Sequence, residues 1–349
     1  MLWCHLRSVS CVLTIAAVSG LRKSPPCSPT RECGPSYVAG GTRQPCTTKK
    51  KTTPPSPLTK FAKLYERTYG RQRVIDGPIR LMDGTRVKVA DSPVYDEKGT
   101  YFIRYLFTND IVITSMNLKA PTRLEASQLD SREWDPDHDS LDFTSYTTTM
   151  IEEMFTYGVV EISRNAAAKV LSIGLGTGYI NSYLYKNYRK MNITVVEIDG
   201  VMLNISKKWF GLKLDNRQRV IIADGVEYVK RVARAGKTFD VIHLDACTMD
   251  ESAPVNCPIN IFLAPDVVRS FSALLGPRGI LVMNVMTMKS DHIAAAKLVK
   301  KAFEKSFKKC IGKYAPFSAP NIVMTCAQFD RPTGLKERYQ RWKGYTTGE

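Results

Sequence analysis

Gly174, Gly176 and Gly178 stand at alternate positions directly after the apolar run at residues 170–173, and a helix-compatible segment follows them. A second apolar run, at 195–198, carries Glu197 and leads into Asp199. The separation of about 20 residues between glycine turn and acid is that of dinucleotide-type folds. Glycines let backbone approach a bound nucleoside closely. A carboxylate at the end of the next strand can accept hydrogen bonds from both ribose hydroxyls. Two further acids close later apolar runs: Asp224, followed by Gly225, and Asp245, after residues 239–244. Asp224 is placed to accept from an adenine amino group. One glycine turn would be a weak signal; four strand ends in this order describe a nucleoside-cofactor site.

Other reactive residue types form no such pattern. Asp135, Asp137 and Asp139 imitate the start of a calcium loop, but Ser140 stands where glycine is required and Tyr146 where a bidentate Glu is required. Cys4, Cys11, Cys27, Cys33 and Cys46 lie near the N-terminus, and Cys247, Cys257, Cys310 and Cys326 lie further on. None shows C-x-x-C or zinc-finger spacing, so no metal is expected. A disulfide framework belongs to small secreted domains and is not expected here. Cys247 reads as a small buried side chain, and His243, inside an apolar run, as packed against a helix.

The elements that must carry these residues alternate. From residue 147 the pattern predicts helices at 147–159, 179–188, 201–210, 226–235, 265–275 and 292–306. Strands are predicted at 169–173, 192–198, 219–223, 239–244, 279–285, 309–313 and 321–329. This is an α/β fold: a doubly wound, mostly parallel seven-stranded Rossmann-like sheet, with the last two strands an antiparallel hairpin at its edge. Before it, short alternating runs at 79–81, 86–89, 101–107 and 111–116, separated by Asp83-Gly84, Lys98-Gly99 and Asn109-Asp110 turns, predict a small β-meander. The expected division is a leader and basic linker at 1–60, a β-rich region at 61–140, the cofactor domain at 141–335 and a tail at 336–349. Pro54, Pro55 and Pro57 mark residues 49–60 as linker.

The net charge of +17 is concentrated at the start of this 349-residue chain, where residues 1–60 hold nine Lys and Arg against Glu32 alone. The rest is only moderately basic, so there is no firm nucleic-acid signal. Residues 9–20 are an apolar run shorter than a membrane span. They fit a secretory signal or anchor; a mitochondrial presequence is the rival, and with neither the protein would be cytoplasmic.

The blocks at 170–178, 195–199, 223–225 and 239–245 resemble the spermidine synthase and class I S-adenosylmethionine-dependent methyltransferase superfamily. Val196-Glu197-Ile198-Asp199, Trp209-Phe210-Gly211, residues 223–228 and Asn256-Cys257-Pro258 are similar to the subgroup that methylates translation elongation factor one-alpha. The resemblance runs from about residue 141 to 329. It implies S-adenosylmethionine as cofactor, or its decarboxylated form. Gly174, Gly176 and Gly178 would border its amino-acid end and ribose, Glu197 would hold the ribose, and Asp224 with Gly225 the adenine. Asp245 would be the catalytic group, orienting an acceptor amine. Aminopropyltransferases carry two carboxylates in close succession after this strand; here the block is Asp245-Ala246-Cys247-Thr248-Met249-Asp250-Glu251. Residues 141–146 likewise depart from their Asp-Glu-x-x-Tyr-x-Glu block. The resemblance therefore implies methylation of an amine on a protein. Polyamine synthesis from a small amine is the alternative, and a non-catalytic adenosyl-binding homologue a third. The β-meander could supply a homodimer surface.

Overall fold

The computed structural model describes residues 54–109, 111–141, 145–315 and 321–346, so the leader-like segment and residues 49–53 of the linker lie outside the described residues. Among the described residues no helix is long and apolar enough to cross a membrane.

Helix α1 (Pro57–Tyr69) precedes a four-stranded antiparallel meander, β1 (Arg73–Arg80), β2 (Arg86–Asp96), β3 (Gly99–Thr108) and β4 (Ile111–Leu118), paired in chain order. Then follow α2 (Tyr146–Thr156), β5 (Lys169–Ile173), α3 (Tyr179–Asn187), β6 (Asn192–Glu197), α4 (Gly200–Trp209), β7 (Gln218–Ile222), α5 (Gly225–Arg234) and β8 (Phe239–Leu244). The chain ends with α6 (Pro265–Leu274), β9 (Leu275–Val285), α7 (His292–Phe303), β10 (Lys309–Tyr314), β11 (Ile322–Ala327) and α8 (Leu335–Thr346). The second sheet has the order β10-β11-β9-β8-β5-β6-β7. Strands β5 to β9 are parallel, and β10 and β11 form the expected antiparallel edge hairpin.

From β5 the chain winds outward through β6 and β7, then returns to lay β8 on the other side of β5. In such sheets ligands bind beyond the carboxyl ends of the strands at this reversal, here between β5 and β8. Met150, Phe155, Leu184 and Tyr339 fill one face of the sheet, and Val229, Val268, Phe271 and Phe303 the other.

Helix α4 faces the meander: Met202, Ile205 and Trp209 pack against Val87, Val89 and Leu106. A buried ion pair crosses the same contact. Arg104 donates to both oxygens of Asp91, at 2.8 and 2.9 Å, and to the carbonyls of Trp209 (2.8 Å) and Ser131 (2.5 Å).

Two expected boundaries are corrected. Residues 57–60 are not linker: Pro57 sits in the first turn of α1, where no amide hydrogen bond is lost, and the Ser56 hydroxyl accepts from the Thr59 amide at 3.1 Å. Phe61 and Tyr65 of that helix are buried against Phe102 and Trp134. Nor is 336–349 merely a tail, since α8 begins at Leu335 and Tyr339 stacks on Phe155 with ring centroids 5.2 Å apart. A chain starting at Pro55 keeps the cap and is expected to melt with the full chain. One starting at Thr59 loses the cap and the first turn, costing about 1 kcal/mol or more in urea denaturation. Equal melting of all three would show that the Ser56 cap and the first residues of α1 contribute nothing.

Candidate active site

The glycine turn is positioned by packing as much as by ligand access. Gly174 has φ +92°, and a Cβ there would lie 2.3 Å from the Asp245 carbonyl oxygen. Only glycine lets the ends of β5 and β8 close together. Gly176 also has positive φ, but a Cβ there would meet nothing within 4 Å, so its open side faces free space. Its carbonyl is held by the Ser206 hydroxyl of α4 at 2.9 Å. Gly178 is the left-handed residue from which α3 starts. Thr177 meets Thr114 of β4, hydroxyl to hydroxyl at 3.1 Å, so the meander borders this turn.

Glu197 ends β6 and folds back on the turn. One carboxylate oxygen accepts from the Leu175 amide and the other from the Asp199 amide, each at 2.9 Å. Burial pushes its carboxyl up, while the backbone donors pull it down. Each oxygen keeps a second lone pair for another donor. Beside it, Ile198 exposes half of its apolar surface. Asp199 is committed elsewhere, accepting from Val201 to start α4 and from the Met82 amide of the β1–β2 turn at 2.7 Å.

Asp224 caps α5, one oxygen accepting from the amides of Val226 (2.7 Å) and Glu227 (3.0 Å). The residue is exposed, so its other oxygen can meet a ligand. Gly225 serves packing: a Cβ there would lie 2.9 Å from Ile173 and 3.2 Å from the Phe262 ring.

Asp245 follows β8, its amide bonded to the Ile173 carbonyl at 2.9 Å. The Tyr146 hydroxyl donates to one of its carboxylate oxygens at 2.8 Å and the Asn284 amide to the other at 2.9 Å. Asn321 in turn donates to Asn284 at 2.9 Å. Burial pushes the Asp245 carboxyl up against the pull of these two donors, and burial beside it drives the Tyr146 phenol well above its usual range. The result is an oriented, partly desolvated carboxylate beside the glycine turn. Asp250 does not duplicate it; one of its oxygens accepts from the Ser252 amide and hydroxyl in a local turn. His243 is fully buried, and burial holds its imidazole down to about 4, so it stays neutral.

Tyr146 and Asn284 were not among the predicted site residues. Asn284, a polar side chain near the end of the apolar strand β9, is the signal that would have found it. The cysteine reading is corrected. Cys247 is exposed and disulfide-bonded to Cys257, and Cys310 to Cys326, its direct partner across β10 and β11. Separations of 10 and 16 residues carry no local pattern; long-range folding brings these sulfurs together.

The spermine/spermidine synthase domain family matches residues 149–325. The eEF1A lysine and N-terminal methyltransferase homolog of Drosophila pseudoobscura pseudoobscura is 37% identical over 129 residues, covering 36% of this chain and 19% of that protein. The human eEF1A lysine and N-terminal methyltransferase is 30% identical over 137 residues, covering 37% of this chain and 20% of that protein. This chain thus matches about a fifth of the length of these two relatives. A polyamine aminopropyltransferase of Vibrio vulnificus is 29% identical over 154 residues, covering 44% of this chain and 46% of that protein. The crystal structure of human methyltransferase-like protein 13 in complex with SAH shares the fold, with TM-score 0.53, 22% identity, and coverage of 58% of this chain and 92% of that chain.

Proposed function

This chain belongs to the spermine/spermidine synthase domain family, and from that premise we propose that it is an S-adenosylmethionine-dependent methyltransferase acting on an amine of a protein. The observation that carries the reading is that, among the described residues, one carboxylate is clamped at the site, Asp245 between Tyr146 and Asn284, beside a glycine turn and a ribose-type acid. The residues present fit an adenosyl cofactor. Gly176 leaves open space beside the turn, Glu197 retains acceptor capacity, Ile198 offers an apolar face for a purine, and Asp224 has an exposed oxygen. When bound, the cofactor would supply an electrophilic methyl group on a sulfonium.

The protein's own part is positioning and proton control. An amine with a pKa of about 10 reaches the site as an ammonium, which has no lone pair. Asp245 holds that ammonium by a charge-assisted hydrogen bond and takes up its proton as it becomes nucleophilic. Tyr146 and Asn284 fix the carboxylate so that the amine points along one line of attack.

Glu197→Ala removes the acceptor of two ribose hydroxyls, each charge-assisted bond worth about 1.5–3 kcal/mol. Calorimetry is expected to show at least tenfold weaker S-adenosylmethionine binding. Glu197 also holds two backbone amides, so a melting curve of the same variant separates lost binding from lost fold. Unchanged affinity in a folded variant removes Glu197 from the site. Aminopropyl transfer is the second reading, supported by the longer match to the Vibrio relative.

A further inference from the structure

Asp245, Cys247 and Cys257 bring one carboxylate and two sulfurs to a single point, with their donor atoms all within 4.8 Å of one another. We propose that, when the Cys247–Cys257 disulfide is reduced, these three residues form a binding site for Zn2+, with a fourth position left open. The inference rests on this geometry alone and is independent of which group the enzyme transfers.

One of the three donor separations already matches a tetrahedral ion. With Zn–O of about 2.1 Å, Zn–S of about 2.3 Å and tetrahedral angles, an oxygen and a sulfur on one ion stand about 3.6 Å apart. Asp245 Oδ1 lies 3.6 Å from Cys247 Sγ. Two sulfurs on the same ion stand about 3.8 Å apart, so the disulfide must first open. In that step a dithiol supplies two electrons and two protons, becoming a disulfide itself while Cys247 and Cys257 become thiols. Both thiol protons leave when the metal binds. The Thr248 amide donates to the Asn256 carbonyl at 3.0 Å and Cys257 exchanges backbone bonds with Met286, so the backbone beside the sulfurs is held and they part by side-chain rotation.

The surroundings suit a metal-held carboxylate. Tyr146 and Asn284 already donate to Asp245, the kind of support that orients a ligand and raises its affinity. Cys257 is buried and Cys247 exposed, so the site has a wall and an entrance. Cys310 and Cys326, by contrast, are both fully buried between strands with no entry path. An ion seated here would withdraw Asp245 from any amine acceptor.

The test uses the full chain with Cys4, Cys11, Cys27, Cys33 and Cys46 replaced by serine, reduced with a phosphine and freed of it. Titration with Co2+ is expected to give a tetrahedral thiolate spectrum saturating at one ion per chain, erased by one equivalent of Zn2+. The oxidised chain and Cys257→Ser should lack the spectrum; the pair Cys310→Ser and Cys326→Ser should keep it. Asp245→Asn should bind at least tenfold more weakly. The reduced natural chain gives a second readout that does not depend on the folding of Cys257→Ser. There Zn2+ should slow alkylation of Cys247 and Cys257 at least tenfold by peptide mass spectrometry. Absence of a tetrahedral spectrum, its survival in Cys257→Ser, or alkylation indifferent to Zn2+ overturns the site.

Discussion

Asp245→Asn is expected to bind S-adenosylmethionine as tightly as the parent chain and to methylate an amine acceptor at least a hundredfold more slowly. The substitution keeps the shape of the clamp. Its carbonyl can still accept from Asn284, and the Tyr146 hydroxyl can rotate to accept from the new amide. What disappears is the charge that holds an ammonium and the base that takes its proton, a contribution of about 10²–10⁴ in rate. The pH profile carries a second signature. Because burial raises the Asp245 carboxyl, it protonates on acidification sooner than an exposed aspartate would. Transfer by the parent chain should therefore fall on the acid side starting above the ordinary aspartate range, and the residual rate of the variant should lack that limb. A variant with full activity would remove Asp245 from the chemistry. The same parent chain, given decarboxylated cofactor and putrescine, should form negligible spermidine, because among the described residues a dication in this site meets one clamped carboxylate. Rapid spermidine formation would replace methyl transfer with aminopropyl transfer.

Much of the Rossmann-like sheet was legible because its strands are short apolar runs separated by helical periods, as at residues 169–173 and 239–244. The errors have physical sources. Pro57 reads as a breaker, yet at the first turn of a helix proline costs no hydrogen bond, and the Ser56 cap confirms the start. Helix α8 is hidden in the sequence because Tyr339 and Trp342 stand among charges, giving too sparse an apolar stripe; their rings find Phe155 only in the folded chain. In the site, the glycine turn and Glu197 were visible because they meet through local spacing. The clamp on Asp245 was not, because Tyr146 comes from 99 residues before it and Asn284 from 39 after. Gly174 is legible in the sequence as a candidate cofactor glycine, whereas what the fold requires of it is to admit the Asp245 backbone.

Asp91→Ala is expected to destabilise the protein by about 3–5 kcal/mol, the cost of breaking a buried ion pair and stranding its partner. Arg104 is almost wholly shielded from water, and Asp91 accepts from it through both oxygens, so the remaining guanidinium would have no carboxylate to balance it. Urea denaturation near neutral pH measures the loss directly. Replacing both residues with apolar side chains of similar volume should cost less than Asp91→Ala alone, since no unpaired charge is then buried. The pair also bears on function. Arg104 holds the Trp209 carbonyl at the end of α4, while Asp199 at its start holds the Met82 amide, so the meander grips that helix at both ends. The same helix carries Ser206, which fixes the Gly176 carbonyl, and begins beside Glu197. Loosening the grip should therefore weaken cofactor binding in the fraction of Asp91→Ala that remains folded. A loss below about 1 kcal/mol in the single variant would mean that water reaches Arg104, and that apolar packing of α4 alone holds the meander in place.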